Sequence, residues 1–232
     1  MNIKIDKETA LYLLRKAEDT VEFGSGMYDC KTSDSDTDIM VFLDELEGED
    51  LLDIYNVHHQ LQWDDEDNNI DYIFTTKKQF FRNLLSGDST INAEILIAMG
   101  SDEEMEVIDT LYSYKTIRAF LGFAKRDLKE HKKGNKKFHV MKGLYIADML
   151  MKKRLPKAKT IARLFKTFKE DFDYLTMQKK EKDLRERLNR LYDADKIKTY
   201  GVLPDVTGIF EGEESQIIKL LVDSMNTKEF RY

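Results

Sequence analysis

Between residues 24 and 43 the chain reads GSGMYDCKTSDSDTDIMVFL, so that aspartates at every second position, 34, 36 and 38, run straight into five apolar residues. A short continuous run of β-branched and large apolar residues predicts a buried strand over Ile39–Leu43. On an extended chain alternate side chains share a face, so Asp36 and Asp38 point one way and Thr37 and Ile39 the other. Carboxylates held this close repel one another, and burying them without partners is costly. A divalent cation is the first compensating partner to consider, and a hard ion, Mg²⁺ or Mn²⁺, suits carboxylate oxygens. Asp71, inside the apolar pattern Ile70–Phe74 that predicts a second strand, reaches the same cluster if the two strands are neighbours. Ten residues separate Asp36 from Gly24-Ser25, which reads as a turn. Its backbone N–H groups and hydroxyl can hold phosphate oxygens. Metal held by paired carboxylates opposite such a turn suits phosphoryl or nucleotidyl transfer.

The rest of the chain bounds what surrounds that cluster. It has 232 residues, of which 41% are hydrophobic and 35% charged. No apolar run reaches the length of a membrane span, and the N-terminus lacks a signal-peptide pattern. The single Cys30 excludes an intrachain disulfide and an all-cysteine zinc site. A soluble, intracellular (cytoplasmic) protein without membrane contact is expected. Residues 1–111 carry 27 acids and 8 bases, whereas residues 112–232 carry 17 acids and 29 bases. Within 125–169 there are 16 bases and 3 acids, interleaved with Phe138, Tyr145 and Phe165. Such a stretch suits phosphates or nucleic acid, or the acidic half of the same chain.

The expected fold is α+β, a small mixed sheet with flanking helices followed by an all-helical domain, with domains at 1–108 and 109–232. Periodicity predicts a helix over Lys7–Asp19, with Leu11, Leu13, Leu14 and Ala17 near one face, and a short extended Val21–Phe23. Further helices are expected from about 51 and after a Thr75-Thr76 cap, the latter stopping near Gly87. Others follow over 91–99, 105–133, 136–153, 157–177, 180–194 and 213–226. Asp64–Asn69 reads as a polar turn.

The residues Gly24, Ser25, Tyr28, Ser33, Asp34, Asp36 and Asp38, followed by the apolar strand, resemble the signature of the DNA polymerase β-type nucleotidyltransferase superfamily. The version here resembles its small bacterial and phage subgroup. Ile70-Asp71, Phe80–Leu85, Ala93–Leu96 and Lys136–His139 resemble later segments of that subgroup. The likeness spans roughly residues 20–155. It implies a nucleotidyltransferase fold and transfer of a nucleotide monophosphate from an NTP to an acceptor hydroxyl, with release of pyrophosphate. It implies that Asp36, Asp38 and Asp71 bind metal, that Asp71 helps to activate the hydroxyl, and that Gly24 with Ser25 holds the triphosphate. Relatives often carry Arg-Ala after Gly-Ser and Gly after the Tyr, where this chain has Gly26-Met27 and Asp29; an Asn-Pro often stands where this chain has Asp88-Ser89. The acceptor could be RNA, a protein or a small molecule.

Other readings compete. Asp34, Asp36, Asp38 and Glu45 match an EF-hand's spacing, but Ile39 stands where that loop needs Gly. Asp71 could be a surface acid, Glu94 a packing or capping residue, and His58-His59 and His139 structural or surface histidines. The alternative function is a non-catalytic module on the same fold, regulatory or of toxin–antitoxin type, binding RNA or a protein partner through its basic helices.

Overall fold

A computed structural model describes residues 3–28, 30–31, 35–43, 60–87, 89–99 and 104–201. The expectations for Asp29, Ser33, Asp34, the helix from about 51, His58-His59, Asp88 and the helix over 213–226 lie outside these residues. The protein is α+β, with a five-stranded mixed sheet and eight α-helices among the described residues. It divides into two compact units, one ending at Arg82 and the other beginning at Asn83. That division comes earlier than the compositional change near residue 108, because the helices after Asn83 group with the basic helices rather than with the sheet.

The first unit holds strands β1 (Ile3–Lys4), β2 (Ala17–Phe23), β3 (Thr37–Leu43), β4 (Leu61–Asp65) and β5 (Ile70–Thr76). Their order is β1-β4-β5-β3-β2, with β3 parallel to β5, β1 parallel to β4, and the other pairs antiparallel. Helix α1 (Lys7–Leu14) begins where the Asp6 carboxylate accepts the Thr9 N–H at 2.8 Å, an N-cap that satisfies an otherwise orphaned donor. Ala10 and Leu13 are buried in a cluster with Val41, Leu43, Leu61, Trp63 and Phe74, one face of the sheet. The helix is shorter than its periodicity suggests. Leu11 is 40% exposed, and Ala17–Phe23 alternates exposure along β2 instead of continuing the helix. Backbone pairing with β3 overrides the weak helical pattern of that segment.

Two further differences share one cause. Asp64 and Asp65, expected in a polar turn, instead end the strand Leu61–Asp65, and Ile3–Lys4 pairs with that strand at the edge. Both are short, and pairing partners rather than composition hold them extended. Thr76 does cap a helix: its hydroxyl accepts the Gln79 N–H at 3.1 Å at the start of α2 (Lys77–Ser86), and α2 stops at Gly87, which has φ +68°.

The second unit contains α3 (Thr90–Met99), α4 (Glu104–Leu111), α5 (Tyr114–Lys129), α6 (Lys136–Met151), α7 (Ala158–Asp171) and α8 (Tyr174–Asp193). The helix expected over 105–133 is split at Ser113, whose hydroxyl accepts the Thr116 N–H at 3.2 Å. The one expected to run to 177 is split at Asp173, whose carboxylate accepts the Thr176 N–H at 2.8 Å. Both capping residues start new helices inside patterns that hydrophobic period alone reads as continuous. No described helix is long and apolar enough to cross a membrane.

Candidate metal centre

Register decides which acids meet. Asp38 on β3 lies opposite Asp71 on β5, and Asp71 lies opposite Asp64 on β4. Because side chains alternate along a strand, these three carboxylates share one face of the sheet. Asp36, two residues before Asp38, joins them. The expected trio Asp36, Asp38 and Asp71 is brought together: each offers a carboxylate oxygen, and these oxygens lie within 4.8 Å of one another. Asp36 is exposed, and Asp38 and Asp71 are half-buried. The donor set fits a hard cation, being all oxygen, compact and accessible from solvent. It does not fit a soft or strongly imidazole-preferring ion.

The glycine-serine turn lies beside this trio. β2 ends at Phe23, which pairs with Asp38, and Gly24 follows with φ +68°. A methyl group built on Gly24 would collide with the Asp38 carboxylate, so the backbone passes against the acid at a distance only glycine allows. Ser25 then accepts the Cys30 N–H on its backbone oxygen at 2.9 Å, closing the loop that contains the short 3₁₀ turn Gly26–Tyr28. Cys30 itself is a free, buried thiol.

The electrostatics of the row are uneven. Burial, then the charges of Asp64 and Asp36, push the Asp71 carboxyl above its ordinary value, with Lys4 opposing. Asp64 moves the other way: the hydrogen bond from Lys4 holds it below the usual carboxylate range. Lys4 Nζ donates to Asp64 Oδ2, and Gln62 Nε2 donates to Asp64 Oδ1 at 2.9 Å. Sequence pattern does not single out Asp64 or Lys4, because the acidic run Asp64–Asn69 has the composition of a turn although Asp64 and Asp65 close β4. The alternation Leu61-Gln62-Trp63-Asp64 is the signal that places Asp64 on the acids' face once a strand is recognised.

The remaining candidates are satisfied within the helical unit. Glu94 pairs with Lys142 at 2.7 Å, both side chains about nine-tenths buried, so its partner is an ammonium. His139 Nδ1 lies 3.2 Å from the carboxylate of the buried Asp127, which also meets Arg126 Nε at 3.0 Å and Lys136 Nζ at 3.3 Å. Burial, followed by the charge of Lys142, holds His139 below its ordinary value, with Asp127 opposing. No family model matches the chain, and no curated protein matches it.

Proposed function

We propose that this protein is a metal-dependent nucleotidyltransferase with a nucleotidyltransferase-type sheet domain, moving an NMP from an NTP to an acceptor hydroxyl. The observation that carries this reading is the convergence of Asp36, Asp38 and Asp71 within 4.8 Å, with the Gly24 backbone packed against Asp38. In the proposed reaction the acceptor oxygen forms a bond to the α-phosphorus, the α–β bridging P–O bond breaks, and pyrophosphate leaves. Asp36, Asp38 and Asp71 would hold Mg²⁺ or Mn²⁺. Bound there, such an ion supplies charge neutralisation for the phosphate oxygens. Asp71, opposite Asp38 on the neighbouring strand, would help to take up the hydroxyl proton as that oxygen attacks. The Ser25 hydroxyl and the N–H groups following Gly24 hold the β- and γ-phosphates.

Pyrophosphate release, followed with each NTP and Mg²⁺ across candidate hydroxyl acceptors, tests the reading. Asp36→Ala and Asp38→Ala are each expected to lower turnover at least about a thousandfold, the scale of losing a principal electrostatic stabiliser. Undiminished turnover in either variant rejects the assignment.

A second reading, a non-catalytic binding module, draws on the basic helices. On α7 the exposed Lys159, Arg163 and Lys166 recur at helical spacing, and no acid lies between Lys157 and Lys169. It predicts RNA binding that weakens steeply with salt and survives Asp36→Ala and Asp38→Ala.

A further inference from the structure

The carboxylate row contains a fourth acid that lies outside the convergent trio. Asp64 stands opposite Asp71 on the neighbouring strand, about 5 Å away across the sheet. Both of its oxygens are occupied, Oδ1 by the Gln62 amide and Oδ2 by the Lys4 ammonium. Lys4 reaches it from β1, the two-residue edge strand that pairs in parallel with β4. Lys4 pairs in register with Gln62, so Lys4, Gln62, Asp64, Asp71 and Asp38 occupy one face in lateral order. The edge strand thus delivers a positive charge to the end of a row of negative ones.

We propose that the Lys4–Asp64 pair sets the cation affinity of the Asp36–Asp38–Asp71 cluster, acting as a charge-balancing device rather than as a ligand. The inference rests on the reading of that cluster as a cation site. With Lys4 in place, its ammonium offsets part of the field that Asp64 exerts at Asp71. Without Lys4, Asp64 becomes an unneutralised carboxylate beside the cluster and strengthens its pull on a divalent ion. Without Asp64, the Lys4 ammonium is released next to Asp71 and competes with the ion. Two single substitutions in one ion pair therefore act with opposite signs. A merely structural role would make both act in the same direction. The Lys4 side chain is 74% exposed and that of Asp64 31%, so the pair itself contributes little to folding and its removal leaves the sheet intact.

Mn²⁺ is titrated into the full chain at low ionic strength and free Mn²⁺ is read by electron paramagnetic resonance, with circular dichroism confirming the fold of each variant. Lys4→Met is expected to tighten Mn²⁺ binding and Asp64→Asn to weaken it, each by about three- to tenfold, the scale of one unit charge at roughly this separation when screened as in bulk water. Lys4→Met/Asp64→Asn together is expected to return affinity to within about twofold of the parent, and 1 M salt to shrink both single effects. Lys4→Gln serves as a second charge-removing variant if Lys4→Met misfolds. Single substitutions that both weaken binding, that leave it unchanged, or that the double variant does not cancel overturn the inference. If Asp38→Asn abolishes Mn²⁺ binding while the Lys4 and Asp64 variants do nothing, this inference alone falls. A parent protein that binds no Mn²⁺ removes the cation-site reading and this inference together.

Discussion

The sheet unit and the helical unit handle clustered charge in opposite ways. In the helical unit the buried acids lie beside cations: Asp127 among Arg126, Lys136 and His139, and Glu94 against Lys142. In the sheet unit three carboxylates converge, and the charges that most affect Asp71 are those of other acids. Among the described residues the helical unit sets cations beside Asp127 and Glu94, whereas the sheet unit gathers acids on one face, a donor set that fits an external cation. The contrast is between internal neutralisation, which stabilises, and charge crowding, which costs stability until a ligand relieves it.

The largest expected break in that contrast is Lys142→Met. It leaves the Glu94 carboxylate buried alone and should lower stability by about 3–5 kcal/mol in urea unfolding, with much of the loss recovered by adding Glu94→Leu. A loss of similar size from Asp36→Asn would erase the distinction between the units. Next, Mn²⁺ at a hundred times its dissociation constant should stabilise the parent by about 2.7 kcal/mol in thermal unfolding and leave Asp38→Asn unmoved. Equal stabilisation of both would place the ion elsewhere. Gly24→Ala follows, with an expected cost of about 1–3 kcal/mol from its positive φ and a parallel loss of Mn²⁺ affinity as Asp38 is displaced. Stability lost without any change in Mn²⁺ affinity would detach the turn from the site.

The smallest effect is in pH dependence, and its signs differ between the units. The folded state raises the Asp71 pKa, so its ionised form is disfavoured there. In metal-free buffer Asp71→Asn should therefore raise stability at neutral pH, by less than about 1 kcal/mol after solvent screening, and the gain should vanish below the ordinary value of 3.8. The folded state lowers the His139 pKa, so the stability tied to its neutral form is present above 6.5 and lost as pH falls below it. Urea titrations across pH 3–8 read both, and His139→Gln should flatten the second slope.

Much of the candidate site was legible because it depends on local rules. Ile39–Leu43 and Ile70–Phe74 carry strand composition, the Asp-x-Asp spacing fixes a shared face, and a glycine followed by serine marks a turn. What failed was element extent. Val21–Phe23 reads as extended, but Ala17–Asp19 fits the helical pattern of α1 on paper, and pairing with β3 draws those residues into the sheet. Leu61–Asp65 is too short and too acidic to be read as a strand without its partners on both sides. Ser113 and Asp173 were visible as residues but not as breaks, since a capping side chain inside a periodic pattern acts only when the backbone turns there.

The sequence alone determined that Asp36 and Asp38 would point one way, that an apolar strand would follow them, and that the acids and bases would be segregated along the chain. These follow from the two-residue repeat of extended backbone and from composition, and neither needs a distant partner. Tertiary structure decided that Asp71 would stand opposite Asp38, that Asp64 would join the row but be occupied by Lys4 and Gln62, and that Asp127 would be enclosed by cations. Each of these depends on register between segments far apart in the chain, where a shift of one residue would turn every side chain to the other face.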